Sequence, residues 1–154
     1  MQITTQTNIA EVMQVIESID AAAENLTPVF SDIADHLFNL ADEAFENEAS
    51  PDGTAWQPLA ASTMSLKGHS RPLHDTGHMR ETLGSSSDNY SASVGTNATS
   101  NGGYAYPAVH QFGTIDGRIP ARPFLPFDED GDLMADATDD ILTIVRDHFE
   151  QEAQ

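Results

Sequence analysis

Cysteine is absent from the 154 residues, which excludes disulfides, thiolate nucleophiles and every zinc site built on thiolates. No apolar run approaches the ~20 residues that a membrane-spanning helix requires. The N-terminal MQITTQTN carries neither the basic nor the apolar part of an export signal, so the chain reads as soluble and unexported, with no membrane partner. Basic residues are scarce too. Six Lys plus Arg, with Lys67 the sole lysine, stand against twenty-five Asp plus Glu for a net charge of −19. Such a surface repels phosphate backbones, which argues against nucleic-acid binding as a main role. In molar salt the screening length falls to ~3 Å, and an acidic surface then keeps a protein soluble at little cost in self-repulsion. A halophilic setting explains the charge; an ordinary acidic protein with a cationic partner is the alternative.

Catalytic signatures are missing as well. There is no G-x-S-x-G elbow to raise a serine nucleophile, and Thr54, Ser62 and His110 have no acid at a diagnostic spacing. His74 and His78 stand four apart with Asp75 between them, a spacing that suits two imidazoles on one helix face. The glutamate of HExxH is absent, however, and Gly77 interrupts the pair. An enzyme reading would be a metallohydrolase carried by His74, His78 and His110, with His69 as another source of a third ligand. Structural or solvated histidines are expected instead, with no metal and no cofactor. The DEDGD run at 128–132 lacks the twelve-residue ligand pattern of a calcium loop and reads as a solvated turn.

What the chain does have is helical periodicity at both ends. Ile9, Val12, Ile16, Ile19 and Ala23 share one face, which predicts a helix over 8–25 with Asn8 as its cap. Thr27-Pro28 opens a second helix over 28–48, whose stripe is Phe30, Ile33, Leu37, Leu40, Ala41, Ala44 and Phe45. Leu133, Ala137, Ile141, Ile144, Val145 and Phe149 mark a final helix. Between them, Pro51-Asp52-Gly53 makes a turn, followed at once by the only tryptophan, Trp56. Short helices are expected over 62–67 and 76–83, and a strand over 85–96. A flexible polar tip follows at 97–103, then a turn or short helix over 105–113 broken at Pro107. The fold expected is α+β: N-terminal helices and a C-terminal helix packed on a small antiparallel sheet. All 154 residues form one domain in this reading, with a helical region at 1–49, a sheet and loop region at 50–127 and the last helix at 128–154.

The densest pattern is YAYPAVHQFGTIDGRIPARPFL, beginning at Tyr104, with four aromatics, three prolines, two arginines and two glycines. Pro107, Pro120 and Pro123 lock φ and restrict the residue before them, so the run from Ile119 to Phe127 reads as extended. Together with SPDGTAW, STMSLK, LHDTGHMRETL and the VGT strand, in that order, it resembles the phage virion morphogenesis family. These are the Mu-type and related tail-completion proteins of tailed viruses. Two departures are a polar insertion at 97–103 and His78-Met79 in place of the usual leucine after DTG. The lysine scarcity is similar to that of haloarchaeal proteins, which implies a haloarchaeal tailed virus.

The resemblance implies a structural virion protein for tail completion or head-tail joining, not an enzyme. Such proteins form a ring, commonly of six subunits, in the neck, between the connector or adaptor and the tail tube or terminator. DNA passes through the lumen without being held, and assembly takes place in the host cytoplasm. An assembly factor or minor capsid-associated protein is the alternative within the same class. The expected contact with a neighbour is Arg118, Ile119, Pro120, Arg122, Pro123, Phe124, Leu125 and Phe127: stiff backbone, apolar side chains, and arginines seeking carboxylates. The same run packing over its own sheet is the competing reading.

Overall fold

The computed structural model describes residues 17–153 except Ile19 and Ala22. The expected helix over 8–25 lies largely outside the described residues; its described members from Glu17 to Glu24 are helical. Helix α1, Thr27–Asn47, is the spine. It opens with Pro28 in the first turn, where proline's missing N–H costs nothing. Thr27 makes no side-chain cap; Leu26 is the cap residue, and its backbone N–H donates to the Asn89 side-chain oxygen. The buried face is Val29, Ile33, Ala34, Leu37, Ala41, Ala44 and Phe45, so Val29 and Ala34 take the inward places expected of Phe30 and Leu40. Glu48 ends the helix at φ 51°, and the turn at 50–54 folds back so that the Trp56 N–H donates to Glu48 O at 2.9 Å.

Two short helices follow, α2 at Ala61–Lys67 and α3 at His78–Glu81. The strand expected over 85–96 is instead a hairpin. β1, Leu83–Ser87, pairs antiparallel with β2, Ala92–Thr96, with Leu83 opposite Thr96 and Ser87 opposite Ala92. The Asp88 carboxylate turns the chain by accepting from the N–H groups of Tyr90 (2.7 Å) and Ser91 (2.8 Å), a side-chain mimic of a backbone turn. The polar segment 97–103 is not a free tip. Ala98 is buried in the core, and Ser100 bonds to Tyr104 through both backbone and hydroxyl. Pro107 begins helix α4, Tyr106–Phe112, rather than breaking it. Helix α5, Ala135–Glu152, closes the described chain.

The hairpin packs on α1, and α5 lies along α1 beside it. One core cluster joins Phe45, Trp56, Met79, Leu83, Ala98 and Phe124; the other joins Val29, Ile33 and Leu37 to Ile141, Ile144 and Val145 of α5. Val94 of β2 packs against both. The expected α+β layering is present: helices on a two-stranded antiparallel sheet. Among the described residues no helix is long and apolar enough to cross a membrane.

Candidate functional site

The proline-rich run divides into a clamped stem and a projecting tip. In the stem, Arg122, Phe124 and Pro126 are buried while Pro123, Leu125 and Phe127 are half-exposed, the period of two that extended backbone imposes. Gln111 of α4, itself buried, holds this stem with one side chain. Its Oε1 accepts from the N–H groups of Phe124 (3.0 Å) and Leu125 (2.9 Å), while its Nε2 donates to the carbonyls of Leu125 (3.1 Å) and Phe127 (3.0 Å). The amide thus serves as a one-residue strand partner for the stem.

The stem's other fastenings come from the PDGTAW turn. Trp56 Nε1 donates to Pro123 O at 2.8 Å, and Phe45 packs edge-on against Trp56 and tilted against Phe124, with ring centroids 5.9 and 5.2 Å apart. Arg122 donates through Nε to Gln57 O at 2.8 Å and through Nη2 to Pro58 O at 3.0 Å, and only 5 % of its surface is exposed. Its burial pulls the guanidinium below its ordinary value. The expectation that Arg122 and Phe124 face a neighbour is corrected here: both side chains point into the subunit, where one ties down carbonyls and the other fills the core. An Arg122 variant therefore tests an internal brace.

The tip, residues 113–121, is the exposed part. Gly113 sits at φ 73°, and a Cβ there would lie 2.8 Å from Ala121 N and 3.0 Å from Ile119 O, so only glycine lets the two limbs close. Thr114 ties them together: its N–H donates to Ile119 O at 2.9 Å, and its hydroxyl accepts from the Ile119 N–H at 3.0 Å. Ile115 at the apex is fully exposed. Arg118 beside it is 86 % exposed at the side chain and pairs loosely with Asp116 at 3.1 Å. Ile119 and Pro120 are half-buried at the base. Sequence reasoning missed Ile115 and Gln111. Both lie within the quoted motif, but nothing in their spacing reveals that one is presented and the other inserted.

Beneath the tip, a cleft of about 460 Å³ opens between α2, α3 and residues 118–122. His110 and His78 line it, and His74 does not. His74 meets the His69 ring edge-on, with centroids 6.2 Å apart. Among the described residues no three His, Asp or Glu side chains gather where they would hold a metal ion. Burial, reinforced by the charges of Arg122 and Lys67, pushes His110 below the usual imidazole range. Elsewhere the scarce arginines brace α1. Arg80 grips Asp42 at 2.7 and 3.0 Å and Glu46 at 2.9 Å, raising its own affinity for the proton and holding the Asp42 carboxyl below its ordinary value. Arg71 pairs with Glu48 at 2.9 Å.

No solved structure matches this chain. It is similar to a curated protein, the Mu-like prophage FluMu G protein 2 of Haemophilus influenzae, at 31 % identity over 151 residues, which cover 93 % of this chain and 92 % of that one. The model of the phage virion morphogenesis family matches residues 7–150, a span that takes in the PDGTAW turn, the hairpin, the clamped stem and the tip. With a match of that extent, the chain belongs to the phage virion morphogenesis family, and its role lies in assembling the virion.

Proposed function

We propose that the protein completes the tail and joins it to the head. It acts as one subunit of a ring in the neck, commonly six copies, through which DNA passes without being held. The observation that carries this reading is the family match over nearly the whole chain, supported by a geometry suited to joining. A rigid stem, buried at every second residue, presents a short tip whose Ile115 and Arg118 meet no core of their own. Preordering a contact loop in this way lowers the entropy lost on docking. The contact surface is then the tip with the outward residues Ile119, Pro120, Pro123, Leu125 and Phe127, without Arg122 and Phe124. A net charge of −19 suits a conduit wall, because a cationic lumen would retain phosphates. The same charge, with a single lysine, favours a host that works in concentrated salt.

Reconstruction of the intact neck tests this directly, by counting copies around the axis and locating the tip. The expected result is a closed ring of this chain between the head connector and the tail tube. Particles whose neck lacks the chain would reject the joining role in favour of an assembly factor that leaves before maturation. In a complementation assay, Ile115→Asp with Arg118→Glu should give folded protein but full heads and separate tails.

A further inference from the structure

We propose that the cleft between α2, α3 and residues 118–122 receives the acidic turn at 128–132 of a second copy of this chain; the inference rests on the ring reading. The charge distribution points there. Of the six Lys and Arg in the chain, Lys67, Arg118 and Arg122 line this one cleft, whereas of twenty-five carboxylates only Asp75 does. The cleft thus gathers half of the chain's basic residues beside a single carboxylate.

Among the described residues these charges are only partly neutralised within the subunit. Among the described residues, no hydrogen bond or ion pair engages Lys67. The buried Arg122 guanidinium meets two carbonyls and, among the described residues, no carboxylate. Among the described residues Arg118 has only its exposed pair with Asp116, an arrangement worth little in water. Buried charges are ordinarily paired, because desolvation is otherwise uncompensated. His110, on the same wall, has a buried Nδ1 without a hydrogen-bond partner. Lys67 and Arg118 at the cleft surface, with the Arg122 charge buried beneath them, form a receptor for carboxylate.

The occupant follows from what the chain offers. The turn at 128–132 is acidic and already ordered. Asp128 spends its carboxylate on the N–H groups of Asp130 (3.0 Å) and Asp132 (2.9 Å), and Phe127 bridges to Leu133 at its base. Glu129 and Asp130 remain exposed and, among the described residues, unpaired. The turn does not line the cleft of its own subunit. Two different patches on one chain make a head-to-tail contact, the kind that closes rings.

Lys67 being the sole lysine makes the test specific. A carbodiimide joins a lysine to a carboxylate only where they touch, so the full chain, mixed as light and 15N-labelled protein at a salt concentration that keeps it folded, should give dimers crosslinked from Lys67 to Glu129 or Asp130 across isotopes. Native mass spectrometry of the same samples should show oligomers. Lys67→Glu should weaken them at least tenfold with unchanged circular dichroism, and Lys67→Glu combined with Glu129→Lys and Asp130→Lys should restore them. Oligomers whose Lys67 is joined to other carboxylates, or to none, would overturn the inference and leave the ring standing. A chain monomeric at every concentration would overturn both. Binding of duplex DNA that Lys67→Glu abolishes would assign the cleft to phosphate and overturn the inference as well. Should Lys67→Glu fail to fold, the crosslink map of the unaltered chain decides.

Discussion

Replacing Gln111 with leucine isolates how the stem is held, because it keeps the side chain's bulk while deleting four hydrogen bonds. The Phe124 N–H is fully buried and loses its partner, which costs ~1–3 kcal/mol for a stranded donor. The Leu125 N–H and the Leu125 and Phe127 carbonyls are only part-buried. Water reaches them, so each adds at most ~1 kcal/mol. The sum, about 1–6 kcal/mol, is a large share of the ~5–15 kcal/mol that holds a domain together. For a chain of this size each kcal/mol shifts Tm by ~2–4 °C, so calorimetry should record a fall of roughly 2–24 °C. Amide exchange at Phe124 should accelerate with it. A variant that melts with the parent and keeps Phe124 protected would show that the prolines alone hold the stem, and the clamp argument would fail.

Trp56→Ala should cost ~3–5 kcal/mol, the range for emptying a large aromatic site, and a melt like the parent's would mean that Phe45 and Phe124 close over the space. Gly113→Ala places a Cβ 2.8 Å from Ala121 N at a positive φ, so the stem should lose ~1–3 kcal/mol; an unchanged denaturant midpoint would show that the tip opens freely. The Asp42 carboxyl is held low by its hydrogen bond from Arg80, so it contributes stability above its unfolded value of 3.8 and loses it as pH falls below that. The stability gap between the parent and Arg80→Met should therefore shrink on acidification below about pH 4, and a gap constant to pH 2 would assign Arg80 a packing role. Folding followed by circular dichroism should strengthen toward molar KCl, because nineteen unscreened charges oppose compaction; a Tm that ignores salt would remove the halophile reading.

The helices were legible because their stripes are long: α1 and α5 repeat apolar residues over several turns, and periodicity of that length survives tertiary context. β1 was not, because Leu83–Ser87 is LGSSS with a single buried residue. A strand that shows solvent on both faces carries no alternation for a reader to find. Its identity comes from the partner strand and from the Asp88 turn. The stem's stiffness could be read from its prolines, but its orientation could not. Which parity of an extended segment faces inward depends on Gln111, Trp56 and Phe45, and all three lie far from it in sequence or in an unrelated element.

The arginines show why composition misleads at the level of single residues. In a chain with four times as many acids as bases, the statistical partner of any guanidinium is a carboxylate, and Arg71 and Arg80 obey that expectation along α1. Arg122 does not, because two carbonyls of the irregular segment after Trp56, those of Gln57 and Pro58, lie at the distance and divergence that a guanidinium fork fits. Satisfying carbonyls leaves the positive charge itself unpaired, so the brace that fixes the stem also charges the cleft wall. Structure and recognition are coupled at that residue: lysine in its place would keep the charge but not the fork. Arg122→Lys should therefore loosen the stem, measured as faster exchange at Phe124, while still drawing carboxylate to Lys67.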